Sequence, residues 1–296
     1  MTGYLPDYQL AVAASLAEAL TLLAGEPGRW RPLAGGTDLM VLFNAGLLKA
    51  TRLLDLTRIR ELRGIQETGT ELAFGALTTF TEVQECAAAH RFLPNLVKSA
   101  RATGALAIQN RGTLGGNIAN ASPAADTPPC LLAYGAEVEL VGLRGTRRVA
   151  YDRFHLGYKQ LDLAPDELLL RILVPKPAGR TFHFYRKVGT RQSLAITKIS
   201  LAGHCRMEAG RVAEIRVGVG SAGPVPLRAR NAEAALLGQS LAALPVREAQ
   251  AALMDDISPI DDIRSTGHYR RVTAGNILGQ MLKELGRQSA LFDADA

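Results

Sequence analysis

Residues 110–129 read NRGTLGGNIANASPAADTPP, and they hold almost nothing with which to build a core. Two adjacent glycines, three asparagines and two consecutive prolines stand there among small side chains. A second glycine pair sits in LAGGTD, which comprises Leu33, Ala34, Gly35, Gly36, Thr37 and Asp38. It shares its design with TLGGN, made of Thr113, Leu114, Gly115, Gly116 and Asn117: a short apolar lead, two glycines, then a polar residue. Paired glycines tolerate positive φ and let backbone N–H groups approach a ligand with no Cβ in the way. Successive N–H groups in such a turn form an anion nest, to which a following helix N-terminus adds. Thr37, Thr113 and Asn117 can donate side-chain hydrogen bonds to phosphate oxygens. Two such turns facing each other suit a pyrophosphate; two tight turns without a ligand are the alternative. Neither stretch matches GxGxxG or GxxxxGK[ST], so a nicotinamide-binding Rossmann domain and an NTPase are disfavoured.

Composition narrows the field. At 296 residues the chain is long enough for more than one domain. Aromatic residues make up only 5%, which leaves little for stacking single-stranded bases, so no nucleic-acid partner is expected. The net charge is +6, with basic clusters at Arg144, Arg147, Arg148 and at Arg270, Arg271; these read as a solvated basic face or as a dock for an acidic partner. Cys86, Cys130 and Cys205 form no CxxC pair, so this chain cannot by itself supply a thiolate zinc or iron–sulfur site. A disulfide scaffold is equally disfavoured, which points to a reducing cytoplasm. The five histidines lack HxxxH or HxH spacing, and none is assigned to catalysis or to a metal. No signal-like N-terminus and no apolar run long enough for a membrane span is visible.

The order of elements predicts an α+β fold. SLAEALTLLAG reads as a helix with Ser15 as N-cap, Glu18 three residues on and Gly25 as C-cap. WRPLAGGTDLMVLFNAGLL reads as strand, glycine turn and helix; ATRLLDLTRI and ELAFGALTTFTEV read as strands, the second entering a helix through Thr79 or Thr81. NLVKSARATGAL is helical, AEVELVGLRGTRRVAYDRF is hairpin-like, and ELLLRILVPKP is a strand closed by prolines. After Pro175–Lys176–Pro177, the expected domain boundary, come antiparallel strands with a turn at EAGR and then three helices.

PLAGGTDLMVLFNAG, FGALTTFTEV and NRGTLGGNIANASPAAD together resemble the flavin-binding signature of the FAD subunit of molybdenum hydroxylases, the family of the medium subunit of CO dehydrogenase and the FAD domain of xanthine dehydrogenase. The similarity extends through DELLLRILVP, FYRKVGTRQSLAI and TGHYRRVTAGNIL, and so covers essentially the whole chain. It implies a two-part FAD-binding domain of the PCMH type over residues 1–176, divided near 55–60, and an α+β C-terminal domain over 177–290. It implies that Ala34 to Asp38 form the first pyrophosphate loop and Thr113 to Asn117 the second. Asp126 matches an acidic residue that accepts from a ribityl or ribose hydroxyl. Thr78 and Thr79 match the strand end that approaches the flavin, and Thr103 and Gly104 another contact. Leu169 matches a backbone or apolar contact, and Lys187 a cation at the polar edge of the flavin. From the residues alone, Asp126 fits a turn before Pro128, Leu169 fits the core and Lys187 fits the surface equally well.

The resemblance further implies a subunit with no acid, base or nucleophile of its own. It takes electrons from an iron–sulfur partner and passes them on through FAD. The implied partners are a molybdopterin-binding large subunit and a small subunit with two [2Fe–2S] clusters, in a hetero-oligomer. No insertion for an additional cluster is visible. A free-standing flavin oxidoreductase and a cofactor-less assembly subunit are the competing readings. The substrate of the complex is not encoded here, and NAD⁺, quinone, ferredoxin and oxygen all remain open as acceptors. Arg264, Arg270 and Arg271 are candidates for a partner dock or a solvated helix face, and the terminal SALFDADA reads as a frayed tail.

Overall fold

A computed structural model describes residues 8–191 and 193–288; the SALFDADA tail lies outside the described residues. Three units follow one another. The first alternates β1 (Gln9–Val12), α1 (Leu16–Gly25), β2 (Arg31–Leu33), α2 (Leu39–Asn44) and β3 (Arg52–Asp55). Its strands are parallel in the order β1-β3-β2, so this opening stretch is a local α/β unit inside an otherwise α+β chain. The Ser15 hydroxyl accepts from Glu18 N and starts α1 as expected. Gly25 is the last helical residue, and the cap is Glu26, whose N–H donates to the Leu22 carbonyl. Leu20, Leu23, Trp30, Leu54 and Ile59 make the core of this unit.

The second unit contains β4 (Ile65–Glu67), β5 (Glu71–Gly75), α3 (Phe80–Glu85), α4 (Ala87–Phe92), α5 (Pro94–Ala102), α6 (Leu106–Gln109), α7 (Leu114–Ala119), α8 (Pro128–Tyr134), β6 (Glu137–Gly142), β7 (Gly145–Ala150), α9 (Tyr151–Phe154), β8 (His155–Gly157), β9 (Gln160–Leu161) and β10 (Leu168–Pro175). Five of its strands form an antiparallel sheet in the order β4-β5-β10-β6-β7, with β6–β7 the expected hairpin. Thr79, not Thr81, opens α3: its hydroxyl accepts from Glu82 N while the Glu82 carboxylate accepts from Thr79 N, a complete capping box.

The third unit is a four-stranded antiparallel sheet, β11 (Arg180–Val188), β12 (Ile199–Glu208), β13 (Arg211–Gly220) and β14 (Leu227–Arg228). It is followed by α10 (Arg230–Leu236), α11 (Val246–Asp256) and α12 (Gly267–Arg287). The expected turn at 208–211 is there, with Ala209 at φ 48 and Gly210 at φ 69. Phe182, Phe184, Leu201 and Val217 pack with Leu278, Met281 and Leu282 of α12.

The opposite face of this sheet receives α8, and that contact joins the third unit to the second. All seven α8 residues are buried. A Cβ on Gly218 would lie 2.1 Å from the Pro129 carbonyl oxygen, so only glycine admits the helix this close. The sequence reading did not assign α8, although Pro128 at its first turn and Gly135 at φ 63 after its last are standard start and stop signals.

Candidate functional site

The first glycine motif turns the chain from β2 into α2. Leu33 O accepts from Leu56 N at 3.0 Å, which closes the strand, and Gly36 then takes φ 75. A residue with a Cβ is disfavoured in that left-handed conformation. The backbone N–H groups of Gly35, Gly36, Thr37 and Asp38 make no hydrogen bond among the described residues, and neither does the Thr37 hydroxyl. Four consecutive free donors at a left-handed glycine are the chemistry of an anion cradle.

The second motif differs in this respect. Leu114 N donates to Thr78 O, Gly115 N to Ala76 O and Asn117 N to Thr113 O, each at 2.9 Å. Gly116 N donates to Thr113 Oγ1 at 3.0 Å. The backbone donors of Leu114 to Asn117 are therefore engaged inside the fold, and a run of consecutive free N–H groups is found in the first loop and not in the second. What TLGGN retains is side-chain chemistry. Thr113 accepts from Gly116 and keeps its own O–H, and Asn117 accepts from Thr127 Oγ1 at 2.6 Å through Oδ1, leaving its amide N–H₂. Leu114 is fully buried in the core.

The two motifs touch. A Cβ on Gly35 would fall 1.8 Å from Arg111 O, and one on Gly116 would fall 3.8 Å from Ala34 Cβ. Arg111 Nε in turn donates to Gly35 O at 3.3 Å. The strand end at Thr78–Thr79 runs alongside: Thr79 bridges Thr113, and Phe80 N donates to Gly112 O at 3.1 Å. Both threonine hydroxyls have structural partners, Thr78 on Gly64 O and Thr79 in its capping box.

At the far end, Lys187 of β11 reaches across the seam between the second and third units. Its Nζ lies 2.8 Å from Asp126 Oδ2 and also donates to Ala102 O at 2.9 Å. Thr197 Oγ1 donates to Asp126 Oδ1 at 2.5 Å. Asp126 is 7% exposed. Burial pushes its carboxyl above the usual range, against the opposing pull of Lys187 and Thr197. Thr103 donates to Ser99 O at 2.8 Å, and Gly104, at φ 60, accepts from Leu194 N at 3.3 Å. The Leu169 side chain lies in the core beside a register shift in β10.

Thr197 and Lys159 were not legible in the sequence, because they bond to Asp126 and Asn120, residues remote in the chain; Asn120 lies inside the 110–129 stretch, where its amide spacing from Asn117 was the available signal. Non-glycine residues with positive φ mark the same region: Ala121, Lys159, Leu194 and Ser221. Ser221 N donates to Pro123 O at 2.8 Å and its hydroxyl to Thr197 O at 3.1 Å, so the segment leading to Asp126 is braced by a strained residue.

Comparison with known proteins gives one family for each part. Residues 6–177 match the model described as FAD binding domain in molybdopterin dehydrogenase, and residues 183–285 match the CO dehydrogenase flavoprotein C-terminal domain. The xanthine dehydrogenase FAD-binding subunit of Escherichia coli O157:H7 is 33% identical over 261 residues, 87% of this chain and 89% of that one. The carbon monoxide dehydrogenase medium chain of Hydrogenophaga pseudoflava is 30% identical over 277 residues, 94% of this chain and 96% of that one. A solved structure of carbon monoxide dehydrogenase from Hydrogenophaga pseudoflava, lacking the Mo-pyranopterin moiety, superposes with a TM-score of 0.91 at 31% identity, covering 95% of this chain and 98% of that one.

Proposed function

Because the chain belongs to the family of FAD-binding subunits of molybdopterin dehydrogenases, we propose that it is the FAD-carrying electron-transfer subunit of a molybdenum hydroxylase complex. The observation that carries this reading is the row of four free N–H groups from Gly35 to Asp38, set against the Thr113–Asn117 motif. The donor set fits a pyrophosphate, which needs convergent donors and close backbone approach.

In this reading Gly35, Gly36, Thr37 and Asp38 hold the phosphates by their N–H groups, with Thr113 and Asn117 adding side-chain donors. Asp126, already accepting from Lys187 and Thr197, has lone pairs left for a sugar hydroxyl. Lys187 keeps a positive charge at the same end of the site. Ala34, Leu33, Thr78, Thr79, Gly104 and Leu169 shape the cleft through backbone and packing, and Leu114 supports it from the core. FAD, when bound, supplies redox chemistry that exchanges single electrons with an iron–sulfur cluster and pairs of electrons with an acceptor.

The iron–sulfur clusters and the molybdopterin are assigned to a small and a large partner subunit. Among the described residues no group of three His, Cys, Asp or Glu is placed to hold a metal ion. No described helix is long and apolar enough to cross a membrane, and a cytoplasmic location rests on the unpaired cysteines. The division at 176/177 is supported by the change of sheet between β10 and β11, and that near 55–60 by the change between β3 and β4.

The test is flavin binding by the purified chain and by Gly36→Asp. Aspartate tolerates left-handed φ and places a negative charge in the cradle. Wild type gains the visible bands of bound oxidised flavin, and Gly36→Asp, with an unchanged circular dichroism spectrum, binds FAD at least about tenfold more weakly. Absence of flavin from both the isolated chain and the assembled complex would sink the reading.

A further inference from the structure

Among the described residues the two-stranded hairpin β8–β9 belongs to no larger sheet, and its turn is Tyr158–Lys159 between the paired residues Gly157 and Gln160. Lys159 sits at φ 58, a conformation that favours glycine or asparagine. A lysine held there is strained, and such strain persists where the surrounding structure enforces it, most often at a binding site. Here the two-residue turn itself calls for the left-handed conformation, and the side chain that it carries is held at its end. Lys159 Nζ donates to both the carbonyl and the Oδ1 of Asn120, the latter at 2.9 Å. Asn120 caps α7, and its own N–H donates to Gly116 O at 2.9 Å. The Asp38 carboxylate, the last residue of the first motif, draws the Lys159 pKa up and Arg31 of β2 draws it down.

We propose that Lys159 is a pyrophosphate-binding residue of the flavin site, an ammonium that the β8–β9 hairpin holds on Asn120, beside the second glycine motif. This rests on the FAD reading and deepens it. The glycine motifs supply N–H and O–H donors but no cation, and the Lys187 charge is already paired with Asp126. A pyrophosphate diester carries two negative charges, so a cradle of neutral donors leaves them uncompensated. An ammonium has three N–H bonds; two of those on Lys159 go to Asn120, and the third is available to a phosphate oxygen. Arg31 and Arg111 are the other cations at this edge. Arg111 is engaged on the Gly35 carbonyl, and Arg31, exposed like Lys159, makes no hydrogen bond among the described residues that would aim it at the motifs.

The experiment titrates the flavin-free full chain with FAD, comparing wild type with Lys159→Gly, Lys159→Met and Lys159→Arg at low and high KCl. Lys159→Gly relieves the left-handed turn and so keeps the fold while removing the charge. The expected result is that the Gly and Met variants bind FAD at least about tenfold more weakly at low salt, with Lys159→Arg close to wild type. The gap narrows at high KCl, because screening weakens a charge contact. Three results overturn the proposal: unchanged FAD affinity in Lys159→Gly, a deficit that salt does not alter, or failure of Lys159→Arg to recover binding. Wild type that binds no FAD at either salt removes the FAD reading itself, and Lys159 with it.

Discussion

Lys187 Nζ and Asp126 Oδ2 lie 2.8 Å apart across the seam that joins the sheet of the third unit to the helices of the second. The two residues are 61 positions apart, and both side chains are largely buried. The pair therefore fastens two parts of the chain at the place where the flavin site is proposed.

Breaking that pair from one side leaves a buried charge without a partner. Asp126→Asn in the flavin-free chain should cost about 3 kcal/mol. Asp126→Asn combined with Lys187→Met should recover more than half of the loss, because the orphaned ammonium is gone. Urea unfolding of wild type, both single variants and the double variant measures this directly. Strictly additive losses would show that the pair has no coupling.

The same seam contains a histidine pair that makes the fold sensitive to acid. His183 and His204 face each other across β11 and β12, with Tyr134, Thr181 and Arg216 around them and Lys98 nearby. Burial pushes His183 down to about 4 and His204 down to about 3. The unfolded chain, with histidines near about 6.5, then binds more protons than the folded one below that pH. Stability is full above about pH 6.5 and is lost progressively as pH falls toward the folded values. Among the described residues neither ring nitrogen of His204 has a hydrogen-bond partner. His204→Leu should therefore be neutral or stabilising at pH 7 and should flatten the acid limb by one proton. Melting temperature against pH for both proteins decides it.

Gly218 tests how closely α8 must sit on β13. A methyl group there meets the Pro129 carbonyl at 2.1 Å, so Gly218→Ala should cost about 2–3 kcal/mol by forcing the units apart. The glycine motifs are not touched by this change. Amide exchange should speed up along α8 and β13 while the β1-β3-β2 sheet keeps its protection.

Gly35→Ala probes the contact between the two motifs. Its Cβ would overlap Arg111 O at 1.8 Å, so the loops must separate. The expected outcome is a loss of about 2 kcal/mol together with weaker FAD binding, read by unfolding and by flavin titration. Wild-type affinity in this variant would mean that the spacing of the motifs does not matter to the ligand.

Much of the architecture was legible in single stretches of sequence. Ser15 with Glu18 and Thr79 with Glu82 gave helix starts, and the alternation from Arg180 to Gly220 gave the antiparallel strands. Helix α8 was legible too, through Pro128 and Gly135, but its small and proline-rich approach drew attention to ligands and away from packing. The parallel arrangement of β1, β2 and β3 could not be read in advance, because direction depends on how crossovers return and not on any residue within a strand.

By itself, the sequence determined where turns need glycine, where helices begin, and which side chains can donate to phosphate. Those properties depend on neighbours a few positions away. Only the tertiary structure decided that the N–H groups of Gly35–Asp38 stay free among the described residues while those of Leu114–Asn117 are engaged. The same is true of the pairing of Asp126 with Lys187 and of the placement of Lys159 on Asn120. The reason is physical: a buried donor or charge takes its partner from whatever packing brings within about 3 Å, and that partner here lies tens of residues away along the chain.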